Sequence, residues 1–563
     1  MPPVRDRPPV RPQAEPPAPP PEPSNADTDG PRARYVKRIL PTFTSGVIAL
    51  AYVLIAPRSE DLAAHLLRAK LFTADGWFGI WNNWWYAGHN LPGYSVLFPP
   101  AAALTTPQLA AAIACPASTA AFDSLVRRRY GEGAWLASLW FGVATTTSLF
   151  TGRLTFAFGL LPAVGTALAL QRRRPGLAFG LAVLTALASP VDALFAALAG
   201  AAYAVAEFLP ARGNGRTVTA ALPGIGVVVG ALGPVLVLSV MFPEGGTEPF
   251  AFSALWPIVL LSVAGLLLIP KRDGALRAGI ALYALGCIAA YAVASPVGSN
   301  ATRLAPLVAG PIAALLWWPS PRTRRAIVVL AVVAVPLLYL QWQAPIRDVR
   351  TADDNGEVTT AYFQPLIDYL SRQTGSPFRI EIPFTTFHWE AYVMAPRFPL
   401  ARGWERQLDI KYNGLFYSGT LTPARYEAWL HELAVRFVAV SDAEIDYSAK
   451  AEVALIDRGL PYLHMVLRTR HWRVYEVVAP SPIVQGAATL ETLGPNYMQL
   501  QANHTGTAYI RVRYSPYWAV VQGSGCVGPA GGFTELRIRR PGTMRIAIRF
   551  SLSRIASRSF RCS

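Results

Sequence analysis

Between Leu40 and Trp342 the chain alternates long apolar runs with short polar breaks, and beyond Trp342 its character changes. Apolar segments fall at about 39–56, 95–123, 133–151, 154–170, 176–190, 191–209, 218–241, 251–269, 275–294, 302–318 and 325–342. Most are close to the roughly 20 residues that span a bilayer as a helix. The pattern predicts a polytopic α-helical membrane bundle of about 11 transmembrane helices, one per apolar segment. Pro99-Pro100 and Pro107 interrupt the second segment, so its start reads as a re-entrant or kinked piece.

The remaining sequence reads as ordinary soluble protein. Residues 344–480 mix helix and strand signals, with a helical period over Tyr426–Phe437 after Pro423 and a β-branched run at Arg436–Ser441. Residues 481–563 read as a β-sandwich-like domain, because Ala508–Tyr514, Trp518–Gln522, Thr534–Arg540 and Met544–Ser551 alternate between Gly-rich turns. At the other end, residues 1–36 are Pro-rich and polar, the composition of a disordered tail. The domain plan is therefore a tail at 1–36, a membrane domain at 37–343 with a large loop at 58–94, an α/β domain at 344–480 and the sandwich at 481–563.

Composition agrees with this division. Of 563 residues, 52% are hydrophobic and only 15% charged, against about a quarter charged in soluble proteins. The formal charge of +17 suggests nucleic acid until its distribution is read. Basic residues cluster between apolar runs, at Arg127–Arg129, Arg172–Arg174, Arg212 with Arg216, Lys271-Arg272 and Arg322–Arg325. Such clusters are topology signals. With the N-terminus inside, all of them fall on the cytoplasmic side, which excludes nucleic acid as the expected partner and sends the C-terminal domain outside. The opening polar stretch lacks a cleavable signal pattern, so the first apolar segment is expected to be an anchor. A second basic run, Arg537–Arg561, suits anionic lipid head groups or an anionic glycan, and equally a solvated strand face.

Candidate chemistry concentrates in the first outer loop. Ser59 is a good N-cap, and Asp61, His65 and Arg68 then share one helical face. A carboxylate, an imidazole and a guanidinium there suit proton abstraction from a hydroxyl beside an anionic phosphate. The same spacing also describes a solvated, ion-paired helix end. Trp77, Trp81, Trp84 and Trp85 can stack on sugar rings or form an interfacial belt, and Asn82-Asn83 and His89-Asn90 add hydrogen-bonding capacity. Arg153, Asp192 and Arg303 lie at helix ends near bilayer depth, where ionisable residues are functional candidates or structural ion pairs. Gly403-Trp404-Glu405-Arg406 offers an aromatic beside charge in the outer domain, as does Tyr412–Tyr417. Of four cysteines, Cys115 and Cys287 fall in apolar runs, while Cys526 and Cys562 can pair if their domain is extracytoplasmic. The chain has no P-loop, GxGxxG, HExxH or nucleophile elbow, and no Cys/His metal spacing.

Asp61–His65, Tyr86-Ala-Gly, Leu97-Phe-Pro-Pro, Gly152-Arg-Leu-Thr-Phe and Asn300-Ala-Thr-Arg-Leu give the membrane part a resemblance. The chain resembles the GT-C superfamily of membrane glycosyltransferases. More narrowly, it is similar to the bacterial membrane proteins labelled "6-pyruvoyl-tetrahydropterin synthase-related", and Tyr514-Ser-Pro-Tyr-Trp with its strands is similar to the outer domain of YfhO-like proteins. The resemblance implies transfer of a sugar from a polyprenyl-phosphate donor to a cell-envelope glycan or glycolipid, outside the bacterial cytoplasmic membrane. It implies Asp61 as catalytic base with Glu60 and His65 beside it. Arg68, Arg153 and Arg303 would hold the donor phosphate, and Trp81, Trp85, His89 and Trp404 the acceptor or sugar. No metal and no cofactor beyond the lipid-linked donor is expected, since there is no clean Asp-x-Asp. The alternative is a non-catalytic relative acting as exporter or scaffold in envelope assembly.

Overall fold

The computed structural model describes residues 30–81, 94–208, 218–318, 323–353 and 356–563, with the backbone alone at 77–81, 218 and 353. Among the described residues, thirteen helices precede the C-terminal domain: α1 (Pro31–Ile55), α2 (Leu62–Trp81), α3 (Phe98–Leu104), α4 (Pro107–Tyr130), α5 (Trp135–Phe150), α6 (Leu154–Gln171), α7 (Pro175–Ala188), α8 (Pro190–Phe208), α9 (Val218–Met241), α10 (Phe252–Leu268), α11 (Gly274–Ala292), α12 (Leu304–Trp317) and α13 (Arg324–Asp353). Among the described residues, seven of them (α1, α4, α6, α8, α9, α11 and α13) are long and apolar enough to cross a membrane. The shorter α7 and α10 are apolar as well. The chain is thus a multi-pass membrane protein with a β-rich C-terminal part.

Helix ends follow local chemistry. The prolines of the second apolar segment divide it into α3 and α4, and Thr106 starts α4 by accepting a hydrogen bond from the Leu109 amide at 3.0 Å. Small residues let the bundle helices approach. Gly200 of α8 and Gly224 of α9 face each other so closely that a Cβ on them would lie 2.7 and 2.4 Å from the other's carbonyl oxygen. The last helix outruns its apolar stretch and continues to Asp353, past the expected boundary at residue 343. Its Gln341 is buried, donates to the Pro306 carbonyl at 2.7 Å and accepts from Trp140 Nε1 at 3.3 Å.

The C-terminal part carries α14 (Thr360–Ser371), α15 (Glu390–Val393), α16 (Arg406–Tyr412), α17 (Pro423–Glu432) and α18 (Lys450–Asp457). Its first sheet has the order β1-β2-β4-β3, from β1 (Arg379–Glu381), β2 (Val435–Ser441), β3 (Leu463–Arg468) and β4 (Trp472–Val477). Only the β1–β2 pair is parallel. The expected helix over Tyr426–Phe437 stops at Glu432 instead. Ala434 adopts a left-handed φ of 55°, and the β-branched Val435–Ser441 run then pairs as the central strand β2.

Two further antiparallel sheets follow. One has the order β13-β10-β11-β8-β5 and the other β6-β7-β12-β9. They comprise β5 (Val484–Gly486), β6 (Ala488–Leu493), β7 (Tyr497–Ala502), β8 (Gly506–Arg513), β9 (Trp518–Gln522), β10 (Gly525–Ala530), β11 (Phe533–Ile538), β12 (Gly542–Ile548) and β13 (Arg561–Cys562). Cys526 and Cys562 sit opposite each other in β10 and β13 and form a disulfide, whereas Cys115 and Cys287 are free and buried.

The C-terminal part is fused to one end of the bundle by shared apolar cores. Leu62, Leu67 and Phe98 of the membrane part cluster with Phe363, Leu366, Trp389 and Trp472. Separately, Phe242 at the end of α9 enters the sandwich core, with Tyr517 at 5.3 Å between ring centroids. Burying several large side chains at about 1.5–3 kcal/mol each makes this a fixed junction rather than a tether.

Candidate functional site

The junction places several of the sequence-derived candidates, among them Asp61, Arg153 and Arg303, at one end of the bundle. The turn between α5 and α6, Thr151-Gly152-Arg153, lies directly on the loop between α1 and α2. A Cβ at Gly152 would stand 2.5 Å from Ser59 Oγ and 3.0 Å from Asp61 Cβ, and the residue has φ +73°. Only glycine fits both demands. Ser59 was a natural N-cap in the sequence, but its buried hydroxyl makes no hydrogen bond and lies against this turn. Gly152→Ala should push the Asp61 loop away from Arg153. We expect a lower melting temperature and up to about 100-fold lower activity, since a displacement of about 1 Å can cost that much. Unfolding and turnover equal to wild type would refute the contact's importance.

Asp61 is half-buried. Burial raises its carboxyl pKa, while Arg303 and then Arg153 pull it back down. Arg303 ends a short 3-10 helix, Gly298–Arg303, just before α12. Burial and the neighbouring Arg153 charge lower its guanidinium to about 10, opposed by Asp61, Tyr94 and Asp192. Asp192 is fully buried at the start of α8, its Oδ2 2.5 Å from where a Gly159 Cβ would be, and neither carboxyl oxygen is hydrogen-bonded. Arg303 thus acts electrostatically on both Asp61 and Asp192. Arg153 is exposed, so one guanidinium faces solvent and the other lies deeper. Glu248, from the loop after α9, accepts from Ser299 Oγ at 2.9 Å and closes the Arg303 side.

His65 and Arg68 occupy a different layer. Both are buried on α2, His65 between Tyr94 and Phe98 at 5.9 and 5.1 Å between centroids. Neither ring nitrogen has a hydrogen-bond partner. Burial, with Arg68 adding repulsion, lowers the imidazole to about 3, so it is neutral at physiological pH. Arg68 donates to the Ser95 carbonyl at 3.3 Å and stands over the Tyr94 ring. The pair therefore backs the Asp61 loop rather than hydrogen-bonding to Asp61.

The C-terminal domain covers this region. Glu60 Oε1 lies 3.7 Å from His388 Nε2, and His388 Nδ1 lies 3.5 Å from Glu390 Oε1. His388 is buried, holds a φ of 53° and stacks on Trp404 at 4.2 Å. Burial, opposed by His388 and reinforced by Asp61, pushes Glu60 up to about 7. Arg406 forms a fork with Asp446 at 2.8 and 2.9 Å. Burial would raise Asp446, but that fork and His388 hold it well below its ordinary range. Glu405, raised by burial to about 7, is drawn toward Arg68.

The sequence singled out Trp404–Arg406 but had no signal for His388, which is solitary in its stretch. Of the predicted sugar-binding residues, Trp85 and His89 lie outside the described residues, and Trp81 is described by its backbone at the end of α2. Among the described residues no three His, Cys, Asp or Glu side chains converge as metal ligands do. Chemically the site offers a carboxylate base, two cations around it and a neutral imidazole behind, at the mouth of a membrane bundle.

No protein-family model and no curated protein matches the chain. Among solved structures, an apo-form oligosaccharyltransferase of Archaeoglobus fulgidus is similar, with TM-score 0.43 and 10% identity over 72% of this chain and 70% of that one. The overlap at that score is loose, and the functional reading rests on the residues of the site.

Proposed function

We propose that the protein is a membrane glycosyltransferase of GT-C type that moves a sugar from a polyprenyl-phosphate donor to a cell-envelope glycan or glycolipid on the extracytoplasmic side. One observation carries this reading: the Gly152-Arg153 turn is packed directly on Asp61, a Cβ at Gly152 falling 3.0 Å from Asp61 Cβ, and Arg303 and Arg153 both lower the Asp61 carboxyl. In the proposed mechanism Asp61 takes the proton of the acceptor hydroxyl as that oxygen attacks the sugar's anomeric carbon. Arg303 and Arg153 hold the donor phosphate and stabilise the charge that grows on it as the sugar–phosphate bond breaks. His65 and Arg68 fix the loop from behind, and Glu60, His388 and Trp404 form the acceptor side. Eleven crossings (every helix through α13 except α2 and α3), an inside N-terminus and an outside C-terminal domain complete the reading. The basic clusters between apolar segments and the Cys526–Cys562 disulfide support that orientation in a bacterial cytoplasmic membrane.

The test is transfer itself. Protein reconstituted in proteoliposomes with radiolabelled polyprenyl-phosphate sugar and envelope glycan should move label into the glycan. If label instead only changes leaflet while still on the lipid, the protein is an exporter and the transferase reading fails.

A further inference from the structure

A second cleft lies at the same end of the bundle, between the end of α9, α16, the loop from β8 to β9 and the last residues of the chain. It has a volume of about 480 Å³, within the range of small-molecule sites. Three cations line it, Lys411, Arg513 and Arg558, against one carboxylate, Glu244. That carboxylate is already engaged, since Tyr412 donates its hydroxyl to Glu244 Oε2 at 3.2 Å. Arg513 has no ion pair among the described residues, and its buried Nε lacks a hydrogen-bond partner. The guanidinium instead stands over the Phe533 and Tyr412 rings at 4.3 and 5.0 Å. A half-buried cation held by aromatic faces, with its Nε unspent, is suited to receive an anion.

The depth of the cleft says which anion. Its other wall is Val240, Met241, Phe242 and Pro243, the last turn of a helix apolar enough to cross the membrane and the residues that follow it. Tyr517 fixes that end by donating to the Met241 carbonyl at 2.8 Å. Cations on one wall and a span's apolar end on the other match a head group with its first chain carbons. The seven-residue α16 links the two sites. It carries Arg406 to the Asp446 roof at its start and Tyr412 to the cleft at its end, a distance of roughly 10 Å along the helix.

We propose that this cleft binds the phosphate of an anionic membrane lipid, with Arg513 as the central ligand and Lys411 and Arg558 at its rim. The inference does not depend on the transferase reading. Its test uses the full-length protein, delipidated in detergent and followed by native mass spectrometry. Dioleoyl-phosphatidylglycerol, dioleoyl-phosphatidylcholine and inorganic phosphate are added in separate arms. Wild type should retain phosphatidylglycerol and not phosphatidylcholine. Arg513→Gln should weaken retention roughly tenfold or more, the scale of one charged contact. Because Arg513 also packs on rings, the double variant Lys411→Gln/Arg558→Gln, changed at exposed positions, should weaken it as well in a folded protein. Equal retention of the two lipids would overturn the proposal, as would undiminished phosphatidylglycerol retention in both variants. Inorganic phosphate bound as tightly as the lipid would identify a soluble-anion site and overturn the lipid assignment.

Discussion

Asp61→Asn should lower sugar transfer by about 10²–10⁴-fold, the usual worth of a positioned general base. Asparagine keeps the shape and cannot accept the proton, so donor binding and the melting temperature should stay near wild type. The cations make a second, independent signature. Burial raises the Asp61 carboxyl, and Arg303 is the largest influence pulling it down. Arg303→Gln should therefore raise the Asp61 pKa, so the acid limb of the pH–rate profile moves to higher pH. It should also weaken retention of the donor phosphate, whereas Asp61→Asn should not. A base acts only when deprotonated, so activity should be lost as pH falls through that limb in both proteins, earlier on the way down in the variant. Full transfer by Asp61→Asn, or an unmoved acid limb in Arg303→Gln, would remove Asp61 from the role of base.

What was legible in the sequence follows from how local each signal is. Membrane helices are written in runs of near-span length, so each apolar segment could be placed without knowledge of the fold, and each is helical. Asp61, Arg153 and Arg303 stood out because a charge at the end of an apolar run has few structural excuses. Strands β8, β9, β11 and β12 show their alternation and lie within three residues of where the pattern puts them. Strand β10, Gly525-Cys-Val-Gly-Pro-Ala, carries two glycines and a proline and has no intrinsic strand signal. It is a strand because β11 and the disulfide-linked β13 pair with it. The roof residue His388 was invisible for a similar reason. Its meaning lies in Glu60, more than 300 residues earlier in the chain, and no spacing within either stretch records that contact. Ser59 shows the reverse case, a sound local cap signal overridden when tertiary packing set Gly152 against it.

The largest stability effect is expected at Arg402, which no local pattern marked. Its side chain is fully buried in the outer domain. The guanidinium lies between the Phe384 and Phe416 rings at 4.2 and 4.0 Å. Its Nε and Nη2 reach Asp409 at 3.2 and 2.6 Å, and its Nη1 reaches Glu452 at 3.2 Å. Glu381 is a third buried carboxyl, 4.0 Å away. Tyr426 and Tyr417 donate to Glu452 and Asp409 at 2.7 and 2.5 Å, so helices α16, α17 and α18 all depend on this one cation. Burial, and then the Glu452 charge, push Glu381 well above its ordinary range; burial raises Glu452 to about 7, with Arg402 opposing. Arg402→Met fills the space between the rings but strands Asp409 and Glu452 as buried charges. The expected loss is about 3–5 kcal/mol, a large part of the roughly 5–15 kcal/mol that holds a domain together. Glu452, stranded in the variant, has a folded pKa raised by burial above its unfolded one. Its protonated form is compatible with burial, so stability should be greatest below the unfolded carboxylate pKa and fall as pH rises toward neutrality. Arg402→Lys keeps a charge without the fork and should fall between the two. Chemical unfolding of the three proteins between pH 5 and pH 8 decides the matter. A loss below about 1 kcal/mol in Arg402→Met, or one indifferent to pH, would mean that the carboxyls find other partners and that Arg402 is not the keystone of the outer domain.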